Sequence, residues 1–445
     1  MTLRFGTDGV RGVANLDLTP ELVVALGRAA ARVLGGDRVV IGRDTRISGP
    51  LLESALAGGF GAEGVHVELL GVVPTPAVAW ASANTAAVGA MISASHNRYP
   101  DNGIKLFAPG GRKLRDDTEA ALEAELDRLV HAGAGDAAGP TGDAVGTITP
   151  GAEYGLAWID AVIATIDTDV SGLHVVVDCG NGAASALVPF ALRRLGIEPI
   201  VLHAAPDGTN INEGCGSTHP DDLQRAVVEA KADIGLAFDG DADRLVAVAS
   251  GGEVVDGDQI IAVLAVDRHE RGVLRDNTVV VTVMSNLGFR RAMAAHGITV
   301  VDTPVGDRFV LDALEAGGHS LGGEQSGHII FPDLATTGDG LLTAVQLLDV
   351  MARTTRSLAN LTSVMTRMPQ VLKNVRIGDR GVDVDALVAV DLEAARAELG
   401  DDGRILVRSS GTEPVVRVMV EAPTVEQANA VADRLVTALT ARTNP

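Results

Sequence analysis

Short apolar runs alternate along this chain with longer segments in which apolar residues recur at helical spacing. The short runs are rich in β-branched residues, which favours strands; they cover residues 38–42, 88–92, 174–177, 234–238 and 278–284. The segments 20–34 and 220–231 each begin with a proline that follows Thr19 or His219, as is common at the first position of a helix. This alternation predicts α/β units with mainly parallel, buried strands.

Shifts in composition indicate where the chain divides. The stretch 132–150 is rich in Gly and Ala and nearly lacks large apolar residues, so we interpret it as a linker or domain edge. Further edges are predicted near 250–252 and 362–369. Beyond the last edge the pattern is strand, helix, strand, loop, strand and helix. The final helix, 425–442, follows Thr424, and Gln427 three residues later completes the pattern of a capping box.

Size and composition indicate an ordinary globular protein with several packed units. One hydrophobic core rarely extends beyond about 250–300 residues, and this chain has 445. Hydrophobic residues make up 46% and charged residues 21%, which excludes a largely disordered chain. The 52 glycines and the low aromatic content of 3% predict many tight loops and cores of Ala, Val, Ile and Leu.

Charge and cysteine content narrow the classes of partner and the compartment. With 36 basic and 58 acidic residues the formal net charge is −22, which argues against nucleic-acid and membrane partners but still allows a small anionic substrate held by local arginines. No apolar run approaches the ~18–20 residues of a membrane span, and residues 1–8 show no signal-peptide pattern. Two cysteines are too few for a disulfide framework, so we expect a cytoplasmic protein.

The clearest chemical pattern follows a predicted strand. Asp239, Asp241 and Asp243 alternate in one loop, so their carboxylates can converge on one hard cation such as Mg²⁺, which takes six oxygen ligands. The loop is not an EF-hand, because Arg244 and Ser250 occupy positions where that motif has Gly and Glu. Three crowded aspartates would repel one another without a cation. The pattern therefore predicts a metal site in preference to a solvated acidic turn.

A second polar loop, SASHN, begins at Ser93 after the predicted strand 88–92. Taken alone, it is equally consistent with a capped strand-to-helix turn, because a serine beside a histidine in sequence is weak evidence for a triad. The chain also lacks the G-x-S-x-G elbow of the α/β-hydrolases. Lys105 is the ammonium group near this loop that could pair with a phosphate.

Three more loops carry groups suited to sugars and phosphates. In GGEQSGH, Glu324 and Ser326 can bind hydroxyl groups and His328 can transfer protons near neutral pH. RSSGTEP begins at Arg408, and its hydroxyls and backbone N–H groups could bind a phosphate, although a plain polar hairpin is also consistent with it. FGTDGVRG places Arg11 in a loop near the amino terminus.

Other patterns carry no chemistry. The G-x-G-x-x-G at 59–64 follows a helical pattern and precedes a strand, the reverse of the dinucleotide-binding order. Cys215 and His219 lack a partner pair for zinc, and Cys179 is expected to be a buried small residue.

Together, FGTDGVRG, SASHN, DGDADR, GGEQSGH and RSSGTEP resemble the loops of the α-D-phosphohexomutase superfamily, in the same order from end to end. The resemblance implies an α/β fold of four domains around a central cleft: three related α/β units with mixed sheets flanked by helices, and a smaller α+β carboxyl-terminal domain. The implied domains are 1–148 with the phosphoserine loop, 149–250 with the metal-binding loop, 251–364 with the sugar-binding loop, and 365–445 with the phosphate-binding loop.

The same resemblance implies a role for each loop. Ser95 would be the phosphoserine, and its phosphate would complete a site for one Mg²⁺ per subunit held by Asp239, Asp241 and Asp243. Arg11 and Arg244 would stabilise the transferring phosphoryl group. The other catalytic positions are His96 and the acid/base candidates Lys105 and His328. The implied substrate-binding residues are Glu324 and Ser326 for sugar hydroxyls, and Arg408, Ser409, Ser410, Gly411, Thr412 and Arg417 for the non-transferring phosphate.

Within the superfamily, FGTDGVRG, GGEQSGH and the segments 207–212 and 215–219 resemble the branch that acts on glucosamine phosphates. The implied enzyme is an isomerase that interconverts glucosamine 6-phosphate and glucosamine 1-phosphate through a phosphoserine and a hexosamine 1,6-bisphosphate. It would supply UDP-GlcNAc for cell-wall synthesis. The implied partners are a small sugar phosphate and, as in many family members, a second copy of the chain.

One departure and three alternatives accompany this interpretation. Arg98 stands where the family usually has Pro, so the loop is expected to bend differently and to carry an extra positive charge. A sibling mutase for glucose or mannose phosphates is the nearest alternative. A phosphatase with Asp239 as nucleophile would leave SASHN and RSSGTEP unexplained. A non-catalytic sugar-phosphate sensor would not need Ser95, Lys105 and the three aspartates.

Overall fold

A computed structural model describes residues 5–6, 9–131, 138–376, 387–409 and 415–443, apart from the side chains of Ser409 and Thr443. The chain divides into two compact units. The first comprises Met1–Met284 and Ile298–Ser363, and the second comprises Ser285–Gly297 and Val364–Pro445. Among the described residues, no helix is both long and apolar enough to span a bilayer.

The first unit begins with a seven-stranded sheet. Its strands are β1 (Val10–Val13), β2 (Arg38–Arg43), β3 (His66–Val72), β4 (Val88–Ile92), β5 (Asp101–Ala108), β6 (Arg112–Lys113) and β7 (Ile148–Pro150), and its helices are α1 (Pro20–Leu34), α2 (Gly49–Gly61), α3 (Thr75–Thr85) and α4 (Asp116–His131). The strand order is β1-β5-β4-β2-β3-β7, with β6 beside β5. Because β2 and β4 are parallel neighbours, the loops that follow them lie at the same edge of the sheet.

A second, five-stranded sheet follows in the same unit. Its strands are β8 (Val175–Asp178), β9 (Ile200–Leu202), β10 (Ile234–Phe238), β11 (Leu245–Ala249) and β12 (Val254–Val255), and its helices are α5 (Glu153–Ile163), α6 (Ala184–Arg194) and α7 (Asp221–Ala230). The order is β12-β11-β10-β8-β9. Since β8 and β10 are parallel while β10 and β11 are antiparallel, the loop between β10 and β11 turns sharply at the carboxyl edge of the sheet.

The third sheet of the first unit has four strands in the order β14-β13-β15-β16. The strands are β13 (Thr278–Thr282), β14 (Thr299–Thr303), β15 (Gly322–Gly323) and β16 (Ile329–Ile330), and the helices are α8 (Gly257–Glu270), α10 (Asp307–Gly317), α11 (Gly340–Thr354) and α12 (Leu358–Thr362). The last two strands form an antiparallel pair, and the turn between them carries Glu324 and Ser326.

The second unit is built on a three-stranded antiparallel sheet in the order β17-β19-β18. Its strands are β17 (Gln370–Arg376), β18 (Arg404–Ser409) and β19 (Val415–Glu421), and its described helices are α9 (Leu287–Ala295), α13 (Ala389–Leu399) and α14 (Val425–Thr443). A core of small and branched apolar residues, including Val416, Val418 and Leu435, fills the space between this sheet and its helices.

Local sequence accounts for the start of α1 and for its close contact with α2. Thr19 caps α1 by accepting the Leu22 N–H, Pro20 fixes the first turn, and buried residues at Val23 and Leu26 form its apolar face. Gly59 has a packing role, because a Cβ there would lie 2.4 Å from a backbone oxygen of α1. The glycine-rich stretch at 59–64 therefore closes a helix–helix contact, in agreement with its rejection as a nucleotide-binding loop.

The structure confirms the predicted α/β class and corrects several boundaries. Helix α1 spans Pro20–Leu34, as predicted. The strand predicted to reach Met284 ends at Thr282. Pro220 lies just before α7 and not in its first turn. The predicted linker 132–150 ends in β7, which pairs with β3, so its last residues belong to a sheet. Gln427 N–H donates to Thr424 Oγ1 at 3.2 Å, one half of the predicted capping box. Short 3₁₀ helices span Gly142–Ala144, Gly216–Thr218, Arg275–Asn277 and Gly400–Asp402.

Candidate active site

The phosphoserine candidate and the three aspartates meet in the first unit. Ser95 follows β4 and Asp239 follows β10, and the Ser95 hydroxyl donates to Asp239 Oδ2 at 2.6 Å. This close approach requires a glycine in the acidic loop, because a Cβ at Gly240 would lie 2.4 Å from the Ser95 carbonyl oxygen. Both Ser95 and Asp239 are about 1% exposed. The fold thus brings two loops that are 144 residues apart in sequence into direct contact.

The aspartate cluster has the chemistry of a cation site. One oxygen from each of Asp239, Asp241 and Asp243 lies within 4.8 Å of the others, and all three side chains are buried. Oδ1 of Asp241 and Oδ1 of Asp243 are buried and accept no hydrogen bond from the described part of the chain. Buried oxygens without donors are costly unless a cation occupies the space between them. The residues present therefore fit a hard divalent cation such as Mg²⁺.

Groups from β5, from the first turn of α3 and from the acidic loop itself hold this cluster. Lys105 Nζ lies 2.8 Å from Asp241 Oδ2 and 3.4 Å from Asp243 Oδ2. Thr75 Oγ1 donates to Asp241 Oδ2 at 2.6 Å, a contact that no sequence motif predicts. Arg244 N–H donates to Asp239 Oδ1 at 3.2 Å. Lys105 is itself 5% exposed, so its ion pairs lie in the interior of the unit.

The electrostatics of the cluster are unequal. Burial, together with the charges of Asp243 and Asp241, raises the pKa of Asp239 well above its usual range. Burial acts in the same direction on Asp243, but Lys105 and His328 outweigh it and hold the pKa of Asp243 well below its usual range. A proton or a metal ion is therefore favoured at Asp239, the carboxylate that contacts Ser95.

The two candidate histidines occupy different surroundings. His96 Nδ1 lies 3.4 Å from Ser95 Oγ and 3.4 Å from Arg244 Nη1, and burial together with Arg244 and Arg11 lowers the pKa of His96 to about 4. His96 is therefore neutral at neutral pH.

His328 is 2% exposed, its Nδ1 lies 3.6 Å from Asp243 Oδ2, and its Nε2 accepts the Gly338 N–H at 3.1 Å. Burial acts to lower the pKa of His328, but Asp243 and Asp307 raise it overall. The ring is thus enclosed by protein groups on both of its nitrogens.

The candidate sugar-binding turn lies between β15 and β16. Glu324 is half-buried, and its Oε1 accepts the Gly306 N–H at 3.1 Å while Ser326 Oγ lies 3.4 Å from its Oε2. Ser326 is exposed. Both side chains therefore keep polar atoms available to a ligand, and Glu324 is held in one orientation by its backbone donor.

The candidate phosphate-binding residues belong to the second unit. Arg408 and Arg417 are directly opposite each other on β18 and β19. Arg408 Nε is buried and has no hydrogen-bond acceptor within the described ranges, and burial plus the charge of Arg417 lowers the pKa of Arg408. Ser410, Gly411 and Thr412 lie outside the described residues, as does the side chain of Ser409. Two adjacent guanidinium groups with an unsatisfied donor suit an anionic ligand.

The remaining cysteine patterns have structural explanations. Cys179 is buried and its pKa is raised by burial, as expected of a small core residue. Cys215 lies near Asp178 and His203, not in a pair with His219. Both oxygens of Asp178 accept backbone N–H groups, from Gly180 and from Gly216. This carboxylate therefore fastens two loops together.

A cavity of about 570 Å³ opens beside the phosphoserine loop. Its lining includes His96, Arg98, Asp101, Asn212 and His219. Arg98 is exposed, so its side chain adds positive charge at this opening, while its carbonyl oxygen accepts the Asp101 N–H at 3.2 Å and closes a tight turn.

Comparisons with known proteins agree with this geometry. Four family models match in order: the phosphoglucomutase/phosphomannomutase α/β/α domains I, II and III at residues 2–131, 157–252 and 256–368, and the C-terminal domain at residues 372–438. The chain is 54% identical to the phosphoglucosamine mutase of Saccharopolyspora erythraea, with 98% of each chain covered. It is 53% identical to the phosphoglucosamine mutase of Thermobifida fusca, with 98% of this chain and 97% of the relative covered. The chain belongs to the phosphoglucosamine mutase family.

Solved structures show the same architecture. A phosphoglucomutase/phosphomannomutase family protein from Burkholderia thailandensis is 28% identical, with a TM-score of 0.79 and coverage of 98% of this chain and 97% of that one. The N-acetylphosphoglucosamine mutase of Aspergillus fumigatus, solved with GlcNAc-6P and magnesium, shares the fold at 18% identity and a TM-score of 0.70, with 100% and 96% covered. The family resemblance, the four-domain fold and the assignment to the isomerases are thereby confirmed.

Proposed function

We propose that this hexosamine phosphate mutase interconverts glucosamine 6-phosphate and glucosamine 1-phosphate through a phosphorylated Ser95 and a hexosamine 1,6-bisphosphate. The observation that carries the proposal is the 2.6 Å contact between Ser95 Oγ and Asp239 in a cluster of three buried aspartates. The names of the relatives support glucosamine phosphate as the substrate. Such an enzyme would supply the amino-sugar nucleotide pathway to UDP-GlcNAc.

Asp239, Asp241 and Asp243 would hold one Mg²⁺ together with an oxygen of phosphorylated Ser95. The ion supplies charge neutralisation for the transferring phosphoryl group, whose loose transition state depends mainly on positioning and electrostatics. The relative from Aspergillus fumigatus binds magnesium together with its sugar phosphate, which supports this choice of cation. Lys105 and Thr75 fix Asp241, so the ligand oxygens are held in place before a substrate arrives.

The positive groups around Ser95 would complete the transfer site. Arg244 and Arg11 lie close enough to His96 to lower its pKa, so both contribute positive potential beside the Ser95 hydroxyl. His96 stays neutral there and can accept a proton from, or donate a hydrogen bond to, Ser95 Oγ. Lys105 is the remaining acid/base candidate. His328 is enclosed, and its contacts support a role in holding Asp243.

Binding of the sugar phosphate would use the other two loops. Glu324 and Ser326 offer an acceptor and a donor for sugar hydroxyls. Arg408 and Arg417, with Ser409, Ser410, Gly411 and Thr412, would bind the phosphate that is not transferred. A 1,6-bisphosphate must present either phosphate to Ser95, so this second site has to accept phosphates at both positions of the sugar.

Initial rates with Mg²⁺ and trace hexose 1,6-bisphosphate test the proposal on glucosamine 6-phosphate, glucose 6-phosphate and mannose 6-phosphate. We expect a clear preference for glucosamine 6-phosphate that disappears in Ser95→Ala, while Ser54→Ala, a change at an exposed serine of α2, keeps the wild-type rate. A preference for glucose or mannose phosphate would move the enzyme to a sibling activity. Substantial turnover by Ser95→Ala would overturn the phosphoserine mechanism.

A further inference from the structure

The guanidinium group of Arg46 is buried beneath the phosphoserine loop, with no exposed surface. Arg46 lies in the loop after β2, the parallel neighbour of β4, which leads into Ser95. Its N–H groups donate to backbone carbonyl oxygens of Ser95 and Asn97, both at 2.9 Å, of Asp101 at 3.0 Å, and of Arg98. One side chain thus fixes four carbonyl groups of a single loop, 95–101.

Arg46 is itself held in one orientation. Its Nε donates to Asp44 Oδ2 at 2.8 Å and its backbone N–H donates to Asp44 Oδ1 at 3.0 Å. Ser93 Oγ donates to the same Asp44 Oδ2 at 2.6 Å and accepts the Ser95 N–H at 3.0 Å. The Ser95 backbone is therefore tied to the Asp44–Arg46 pair through both its N–H and its carbonyl.

Asn212 reaches the loop from the segment between β9 and α7. Its Nδ2 donates to the Ser95 carbonyl at 2.8 Å and to the Asn97 carbonyl at 3.0 Å, the same two oxygens that Arg46 Nη2 contacts. Asn212 is 5% exposed, so these bonds lie in the interior. Two side chains from loops that follow strands of separate sheets therefore converge on one pair of carbonyl groups.

The conformation of Ser95 explains why so many donors are needed. Its φ is 51°, in the left-handed region that non-glycine residues rarely adopt. Such a conformation is unfavourable for a residue with a Cβ and persists only where the surroundings over-determine it. In this conformation the Ser95 hydroxyl reaches Asp239.

We propose that Arg46 and Asn212 are positioning residues for phosphoryl transfer: they clamp the carbonyl groups of the phosphoserine loop and so keep Ser95 Oγ at the metal site. This inference rests on the proposed function of Ser95. Arg46 needs the planar fork of a guanidinium group for this task, because an ammonium group carries three donors at one point and cannot reach carbonyl groups spread along the whole loop. The clamp acts on the reacting atom and not on the sugar, so its loss should lower kcat and leave KM unchanged.

Arg46→Lys and Asn212→Ala test the clamp, with Arg43→Met as the matched control. Arg43 is the last residue of β2, and Arg46 lies in the loop that follows. The Arg43 side chain pairs with Glu53, and its other described hydrogen bond goes to the Asp44 carbonyl and not to the phosphoserine loop. We expect kcat to fall about 100-fold in Arg46→Lys and about tenfold in Asn212→Ala, with KM within about twofold of wild type, since a displacement of about 1 Å can cost about 10²-fold. Because both residues share two acceptors, their effects should be non-additive in the double variant. The control should keep the wild-type kcat.

Hydrogen exchange on the free protein provides a second readout that does not need turnover. The clamp predicts faster amide exchange confined to the segment 93–101 in both variants. Exchange that increases evenly across the first sheet, or a kcat no different from wild type in folded Asn212→Ala, would overturn the proposal. If Arg46→Lys fails to fold, the kcat and the amide exchange of Asn212→Ala test the proposal. If the wild-type enzyme turns over none of the sugar phosphates, the proposed function fails, while the exchange pattern still decides whether Arg46 and Asn212 hold the loop.

Discussion

Replacing Asp239 by Asn should make the metal-free protein more stable while abolishing its activity. At an effective dielectric constant of about 20, each neighbouring carboxylate oxygen, at 4.8 Å or less, repels the Asp239 charge by about 3.5 kcal/mol or more. Asn removes that charge but keeps one oxygen as acceptor for Ser95 Oγ. It loses the bond from Arg244 N–H, worth about 1 kcal/mol, and the attraction of the Arg244 side chain.

The wild type can relieve this repulsion by taking up a proton at Asp239, which near pH 7 limits the cost to about 4 kcal/mol. After the losses above, the net gain from Asn should be about 1–3 kcal/mol. Differential scanning calorimetry in EDTA near neutral pH measures this gain as a rise of about 1–4 °C in the midpoint of the first unit. The gain should shrink as the pH falls. The raised pKa of Asp239 means that the folded wild type binds a proton more readily than the unfolded chain, so wild-type stability recovers in acid.

Asp44→Asn is the matched contrast. Asp44 is also fully buried, but it is the partner of the fully buried Arg46. Burial raises the pKa of Asp44 as it does that of Asp239, but the partner of Asp44 is a cation that stays buried when the carboxylate is neutralised. Asp44→Asn leaves that cation uncompensated, which costs about 3–5 kcal/mol. The two Asp→Asn changes should therefore shift the midpoint in opposite directions. A lower midpoint for Asp239→Asn than for wild type in EDTA would refute the view that this cluster is strained without a cation.

Three further outcomes follow from the same groups. Lys105→Met should lower the midpoint in EDTA by removing about 3–5 kcal/mol of stability, because it takes one partner from a buried ion pair; an unchanged midpoint would contradict this. Magnesium at about 100 times its Kd should stabilise the wild type by about 2.7 kcal/mol. Calorimetry with and without the ion should show that Asp241→Asn loses this gain. A variant that keeps the gain would mean that the ion binds elsewhere. Burial raises the pKa of Asp339 to about 6, above the ordinary value near 4. Wild type should therefore lose stability relative to Asp339→Asn as the pH rises from about 4 to about 6. A difference in midpoint between the two proteins that stays constant with pH would contradict this prediction.

Much of this molecule can be predicted from local sequence, because local signals act over a few residues. Thr19 and Pro20 begin α1 as expected, since capping and a fixed φ operate within one turn. The acidic loop after β10 is predictable as a metal site because like charges at alternate positions must share a cation or repel. The five loop motifs, taken in order, are enough to identify the family that the comparisons show.

Other features depend on contacts between distant segments. The residues 148–150 carry no strong strand signal, and they form β7 only because the edge of β3 offers backbone partners. The strand β13 ends at Thr282 although its apolar run continues, because pairing with β14 stops at Thr303. An apolar pattern predicts where a strand can form, whereas the neighbouring strand decides where it stops.

The sequence by itself determined the class of fold, the family and the identity of the candidate reacting groups, because those depend on residue types at short spacing. Tertiary structure alone decided what holds them. Arg46 is visible in the sequence only as part of a polar loop, since its acceptors are backbone carbonyl groups 49 to 55 residues away that any residue type could supply. Asn212 lies 117 residues from Ser95, whose carbonyl it binds. Hydrogen bonds to the backbone leave no signature in the sequence of the segment that accepts them, so the support beneath Ser95 becomes apparent only once the sheets are assembled.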